Sequence, residues 1–190
     1  MKGILFKPDM VKAIAEGRKT VTRRVIKPFA HGESWLRMRD GITFKMPEHA
    51  DALVRLHAHC RAGDTVYVKE AWWDRQDRVP QSHDRNAIHY GEWSPPDDMA
   101  YMHRKKSPLF MPEWAARYFI TITGVRAERL QEITEEGIRK EGFDSNYTNI
   151  GYYYVFGQAW NHINPKYPWH SNPWVWTITF RLKEGNDANT

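Results

Sequence analysis

With 190 residues and 41% hydrophobic side chains, the chain is the size of one globular domain, or of one domain carrying insertions. No apolar run approaches the roughly 18 residues that a membrane-spanning helix needs. The opening MKGILFKPDM is too short in apolar residues for a signal peptide, so a cytoplasmic protein with no membrane partner is expected.

A formal net charge of +5 favours a polyanionic partner only weakly. Aromatic residues make up 14% of the chain and are able to stack on bases, although most must serve the core. The single cysteine, Cys60, excludes an internal disulfide and a Cys-rich zinc site. His57 and His59 lie beside it, but no carboxylate or second thiol stands at a familiar ligand spacing. No metal and no cofactor is expected.

In chain order, Gly3 to Phe6 reads as a short first strand. A helix then starts with Pro8 at its first position, where the missing N–H costs nothing, and stops at Gly17. Thr20 to Ile26 is β-branched and reads as a strand. Residues 27–61 read as an insertion, with turn signals at Pro28, Gly32 and Asp40-Gly41 and a helix over Pro47 to Cys60. Thr65 to Trp73 reads as a strand. Residues 74–116 read as a second, proline-rich insertion with a short strand near Ala87 to Tyr90.

Order returns at Tyr118 to Thr123, an alternating strand in which Gly124 signals a bulge. Thr134 caps a short helix reaching Lys140, and Tyr152 to Ile163 reads as another helix. Trp174 to Leu182 is the cleanest alternation in the chain. Residues 184–190 form a polar tail. Strands with few helices between them predict a single α+β domain over 1–183, built on a small β-barrel with flanking helices. Neither a GxGxxG nor a P-loop motif is present.

The stretch from Gly17 to Arg24, GRKTVTRR, is the most informative. In a strand, Thr20, Thr22 and Arg24 share one face and Val21 and Val25 the other. Two hydroxyls and a guanidinium in a row are costly to bury without partners. They face either a ligand or solvent, and spacing alone leaves the two readings even.

Glu70 shares a strand face with Val66, Val68 and Trp72 and therefore needs a partner, for which Arg24 or Lys19 is the natural candidate. It reads as a substrate-binding group or as a structural ion pair. Trp72 and Trp73 line a cleft or fill the core. His103-Arg104-Lys105-Lys106 reads as a solvated loop run, with a phosphate backbone as the alternative contact.

Four blocks carry a family resemblance. They are Ile4-Leu-Phe-Lys through Gly17-Arg-Lys-Thr-Val-Thr-Arg-Arg, Ala62-Gly-Asp-Thr-Val-Tyr-Val-Lys-Glu-Ala-Trp, Ile120 through Glu136, and Asn172-Pro-Trp-Val-Trp-Thr-Ile-Thr-Phe. Together they cover about half the chain, in order, and resemble the ASCH domain family, whose PUA-like fold is related to RNA-binding domains. The longer form with insertions is similar to members encoded in phages and prophages.

The resemblance implies a nucleoside or RNA partner. Small bacterial members are amidohydrolases that remove the acyl group of N4-acetylcytidine. Matched residue by residue, it implies Lys19, Thr22 and Glu141 as catalytic residues, with Arg24 beside them; Arg24, Glu70, Trp72 and Thr20 are the substrate-binding candidates, the last three from their strand faces alone. Glu141 follows from its distance from Leu130, and Glu135 and Glu136 are fallback candidates.

In that scheme Lys19 is the base for the Thr22 hydroxyl, Glu141 protonates the leaving nitrogen, and Arg24 holds the developing oxyanion. A binding module without turnover and a metal-independent ribonuclease are the alternatives.

Overall fold

A computed structural model of the chain describes residues 1–27, 30–31, 35–38, 40, 42–75, 88–91, 93–143 and 151–183. Its strands are β1 (Gly3–Leu5), β2 (Val21–Val25), β3 (Ala30–His31), β4 (Trp35–Arg37), β5 (Thr43–Lys45), β6 (Thr65–Lys69), β7 (Trp72–Arg75), β8 (His89–Tyr90), β9 (His103–Lys106), β10 (Phe119–Arg129) and β11 (Trp174–Leu182). Its helices are α1 (Pro8–Ala15), α2 (Ala50–His57), α3 (Glu135–Lys140) and α4 (Tyr152–Ile163). The protein is thus of mixed α+β class. The chain divides into two compact units, one of residues 1–17, 65–121 and 182–190, the other of residues 18–64 and 122–181.

In the first unit β1 runs parallel to β6, and β6 pairs antiparallel with the opening residues of β10. The strand expected over Thr65 to Trp73 is broken at Glu70. The Glu70 amide donates to Met111 Sδ at 3.4 Å rather than to a neighbouring strand. Beyond the break, β7 pairs with β8 and β9 in a separate three-stranded sheet. The run His103 to Lys106, expected in a loop, is strand β9. Tyr67, Trp72, Ile88, Met111, Ala115, Ala116 and Phe119 form the core of this unit.

In the second unit the strand order is β10-β11-β2, with Thr22 opposite Ile178 and Arg23 opposite Thr177. Residues expected as an irregular insertion form the sheet β3-β4-β5, followed by α2. Leu130, Ile133, Ile138, Tyr152, Phe156, Trp160 and Val175 make its core. Gly157 on α4 lets the Trp169 ring approach to 3.3 Å of where a Cβ would stand.

One expectation is corrected. The strands form three separate sheets, and among the described residues no closed barrel forms, β7 pairing with β8 and β9 rather than extending the five-stranded sheet. Gly124 lies within β10, and a Cβ there would stand 2.8 Å from Thr179 Oγ1, so the bare backbone lets that side chain approach. The tail 184–190, the turn signals at Pro28, Gly32 and Gly41, and Pro80 and Ala87 lie outside the described residues.

Candidate functional site

The second unit holds a buried cluster of cations and carboxylates, assembled by the backbone. Gly17 adopts a positive φ of 73°, and the chain turns directly into Arg18-Lys19-Thr20. Lys19 forms an isolated antiparallel bridge with Glu141, and the Thr20 amide donates to Lys140 O at 2.8 Å. These contacts clamp the entrance of β2 to the C-terminal end of α3. Thr134 starts that helix by accepting from the Gly137 amide at 3.1 Å. Arg18 adds a bond to Gly142 O at 2.9 Å.

Side chains complete the clamp. Lys19 Nζ donates to Glu141 Oε2 at 2.5 Å and to Glu141 O at 2.8 Å. Arg23 Nη1 donates to Glu141 Oε1 at 3.2 Å. Each oxygen of the Glu141 carboxylate therefore has its own cation. Lys19 is 1% exposed and Glu141 7%, so this pair is cut off from water.

Burial pushes the Lys19 ammonium well below the ordinary lysine value. Glu141 works against that, and Arg24 and Arg23 add to it. Burial also lowers the Arg24 guanidinium, with Glu141 again opposing.

A second carboxylate stands behind Arg23. Glu128 Oε1 accepts from Arg23 Nη2 at 2.9 Å, Arg23 Nε at 3.2 Å and Thr177 Oγ1 at 2.6 Å. Its other oxygen accepts from Arg126 Nε at 2.5 Å. Burial acts to raise the Glu128 carboxyl, but the bonds from Thr177 and Arg126 and the charges of Arg23 and Arg126 outweigh it and hold it below the usual range.

Lys19 and Glu141 are thus brought into direct contact. Thr22 is buried in the same strand. Alternation places it with Arg24 on the face opposite Arg23, and no hydrogen bond joins its hydroxyl to Lys19 or Glu141 among the described residues. Thr20 is half-buried. From the sequence, Arg23 reads only as one of the cations near enough to Lys19 to lower its pKa, and Glu128 and Thr177 carry no signal. Arg23 shares parity with the valines, which reads as a packing face, and Glu128 lies far along the chain in an unremarked part of β10.

The fallback carboxylates are exposed and take helix-surface partners, Glu136 with Lys140 at 2.6 Å and Glu135 with Arg139 at 3.7 Å. No family model, curated protein or solved structure matches the chain.

In the first unit, Glu70 does find a partner, but the partner is Arg117. The guanidinium grips both carboxylate oxygens, Nε at 2.7 Å and Nη2 at 2.8 Å. Arg117 lies against the rings of Tyr90 and Tyr118, 4.7 and 4.9 Å from their centroids. With both oxygens occupied, Glu70 is built as an ion pair rather than as an open acid group. Trp72 is buried in the core of this unit, while Trp73 is half-buried and carries Lys105 Nζ 5.8 Å above its ring.

Cys60 is buried, and no group of three or more metal-ligating side chains occurs among the described residues. His57 is 3.4 Å from Asp40 and packs edge-on against Phe44. Among the described residues no helix is long and apolar enough to cross a membrane.

Proposed function

We propose that the chain is an ASCH-type amidohydrolase acting on N4-acylated cytidine, with N4-acetylcytidine as the model substrate. The observation that carries this reading is the buried pairing of Lys19 with Glu141, two residues that the family resemblance assigns to one catalytic set.

The chemistry follows from the state of Lys19. A neutral amine has two N–H bonds and one lone pair. The two N–H bonds match the two acceptors on Glu141, and the lone pair is left to take a proton. Burial favours that neutral form. In this scheme substrate brings the two groups together, and Lys19 takes the proton of the Thr22 hydroxyl as the Thr22 oxygen attacks the acyl carbon. The C–N4 bond breaks as the proton now on Lys19 passes through Glu141, to which it is already hydrogen-bonded, onto cytidine N4, and the acyl group remains on Thr22 as an ester. Water hydrolyses the ester, releasing acetate and restoring the hydroxyl. Arg24 neutralises the developing oxyanion.

The test is incubation with N4-acetylcytidine, following the ultraviolet change on loss of the acyl group together with acetate release. Wild type should turn over, and Thr22→Ala and Lys19→Met should lose at least a thousandfold in kcat while remaining folded by circular dichroism. Wild-type rates in folded Thr22→Ala would refute the scheme.

A second reading, binding of single-stranded RNA without turnover, is favoured by β9, where Arg104 and Lys105 are exposed and Lys105 covers Trp73. Salt-sensitive oligonucleotide binding with no acetate release would select it.

A further inference from the structure

Glu128 is a carboxylate that the scheme above does not use, yet it is more heavily bonded than any group in the cluster. Thr177 and Arg23 stand opposite each other in the β2–β11 register, and both donate to Glu128 Oε1. Arg126 holds Oε2. With the carboxylate fixed from three sides, the Nε and Nη2 edge of Arg23 is committed to Glu128 and only Nη1 is left for Glu141. Nη1 in turn occupies Glu141 Oε1, leaving Oε2 to Lys19.

We propose that Glu128 is a positioning residue for the Lys19–Glu141 pair, acting through Arg23. It fixes the direction of the guanidinium, and its negative charge offsets a cation that would otherwise bear fully on Lys19. This proposal rests on the reading that Lys19, Thr22 and Glu141 perform the chemistry.

The charged groups around Lys19 are Glu141 at the end of α3, Arg23 and Arg24 on β2, and, through Arg23, Glu128 and Arg126 on β10. Removing the charge of Glu128 leaves the cations in larger excess, so the neutral amine becomes easier to form. A glutamine at 128 still accepts from Arg23 and Thr177 through its amide oxygen. Alanine abandons both the charge and the direction.

The experiment compares wild type, Glu128→Gln and Glu128→Ala in two ways. In the first, the acid limb of the kcat/KM profile, which reports deprotonation of Lys19, should move to lower pH by about half a pH unit or more in Glu128→Gln. The kcat of Glu128→Ala should fall at least tenfold with KM within about twofold, and Glu128→Gln should recover most of that loss. In the second, an NMR titration of the labelled Lys19 ε-carbon should show the same displacement without any substrate.

An unmoved Lys19 midpoint in folded Glu128→Gln overturns the proposal. If wild type releases no acetate while the midpoint moves, the catalytic reading fails and the coupling of Glu128 to Lys19 stands. If Glu128→Ala does not fold, the Lys19 midpoint of Glu128→Gln alone decides the proposal.

Discussion

Lys19 and Glu141 meet twice, once as a backbone bridge and once through a 2.5 Å side-chain hydrogen bond, across a separation of 122 residues. The double tie decides what mutation does. Lys19→Met leaves Glu141 buried with Arg23 as its remaining cationic hydrogen-bond donor, so the variant should lose about 3 kcal/mol, the lower end of the cost of breaking a buried pair. Lys19→Met combined with Glu141→Leu removes the orphaned charge as well and should regain at least half of that loss. Urea denaturation of the two variants against wild type measures the cycle. A double variant no more stable than the single one would show that the pair is not coupled in this way.

Stability should also depend on pH in two windows. The Glu128 carboxyl is held below its ordinary 4.5, so the folded chain keeps it ionised where the unfolded chain has begun to protonate it. That stabilisation is complete above about 4.5 and is lost as pH falls through the folded value. Lys19 behaves in the opposite part of the scale. Its folded value lies below 10.5, so the unfolded chain binds the extra proton, and stability rises as pH climbs from the folded value toward 10.5. Melting temperatures measured across pH should show both slopes. Glu128→Gln should flatten the acid slope, and Lys19→Met the alkaline one.

The sequence made helices and terminal strands legible because their signals are local. α4 at Tyr152–Ile163 and β11 at Trp174–Leu182 have the bounds that periodicity predicts, and Thr134 caps α3 as its hydroxyl chemistry requires. What was not legible depends on long-range partners. Glu70 announced that it needed a cation, but nothing near it in sequence pointed to Arg117, 47 residues away. Arg23 shares its strand parity with Val21 and Val25, and nothing near it in sequence points to its two carboxylates, which lie 105 and 118 residues further on. β9 was read as a solvated run because its partner strand, β7, departs from the strand it was expected to continue.

Arg117 gives a prediction that separates architecture from chemistry. Glu70 is 1% exposed, and Arg117 meets it with a planar fork that lysine cannot reproduce. Arg117 itself is about a third exposed, so water screens part of the loss. Arg117→Ala should cost about 2–3 kcal/mol, and Arg117→Lys about half of that. Neither should change kcat on N4-acetylcytidine at a temperature where both variants are folded. A loss of kcat with no loss of stability would return Glu70 to the groups that contact substrate, with Arg117 acting on it.

Thr134 is distant in role from the cluster yet holds its frame. α3 has only six residues, too few for helical propensity to sustain it alone, so its cap and the packing of Ile138 carry it. Glu141 follows its last turn, and its amide closes the helix by donating to Gly137 O at 3.0 Å. Thr134→Ala removes the acceptor of the Gly137 amide and should lower stability by about 1 kcal/mol. Frayed from its first turn, the helix should hold Glu141 less firmly, and amide exchange should quicken at Lys140 and Glu141 as well as at Gly137. Thr134→Ser keeps the acceptor oxygen and should restore both stability and protection. If exchange quickens at Gly137 alone, the Lys19–Glu141 clamp anchors the end of α3 independently of its cap.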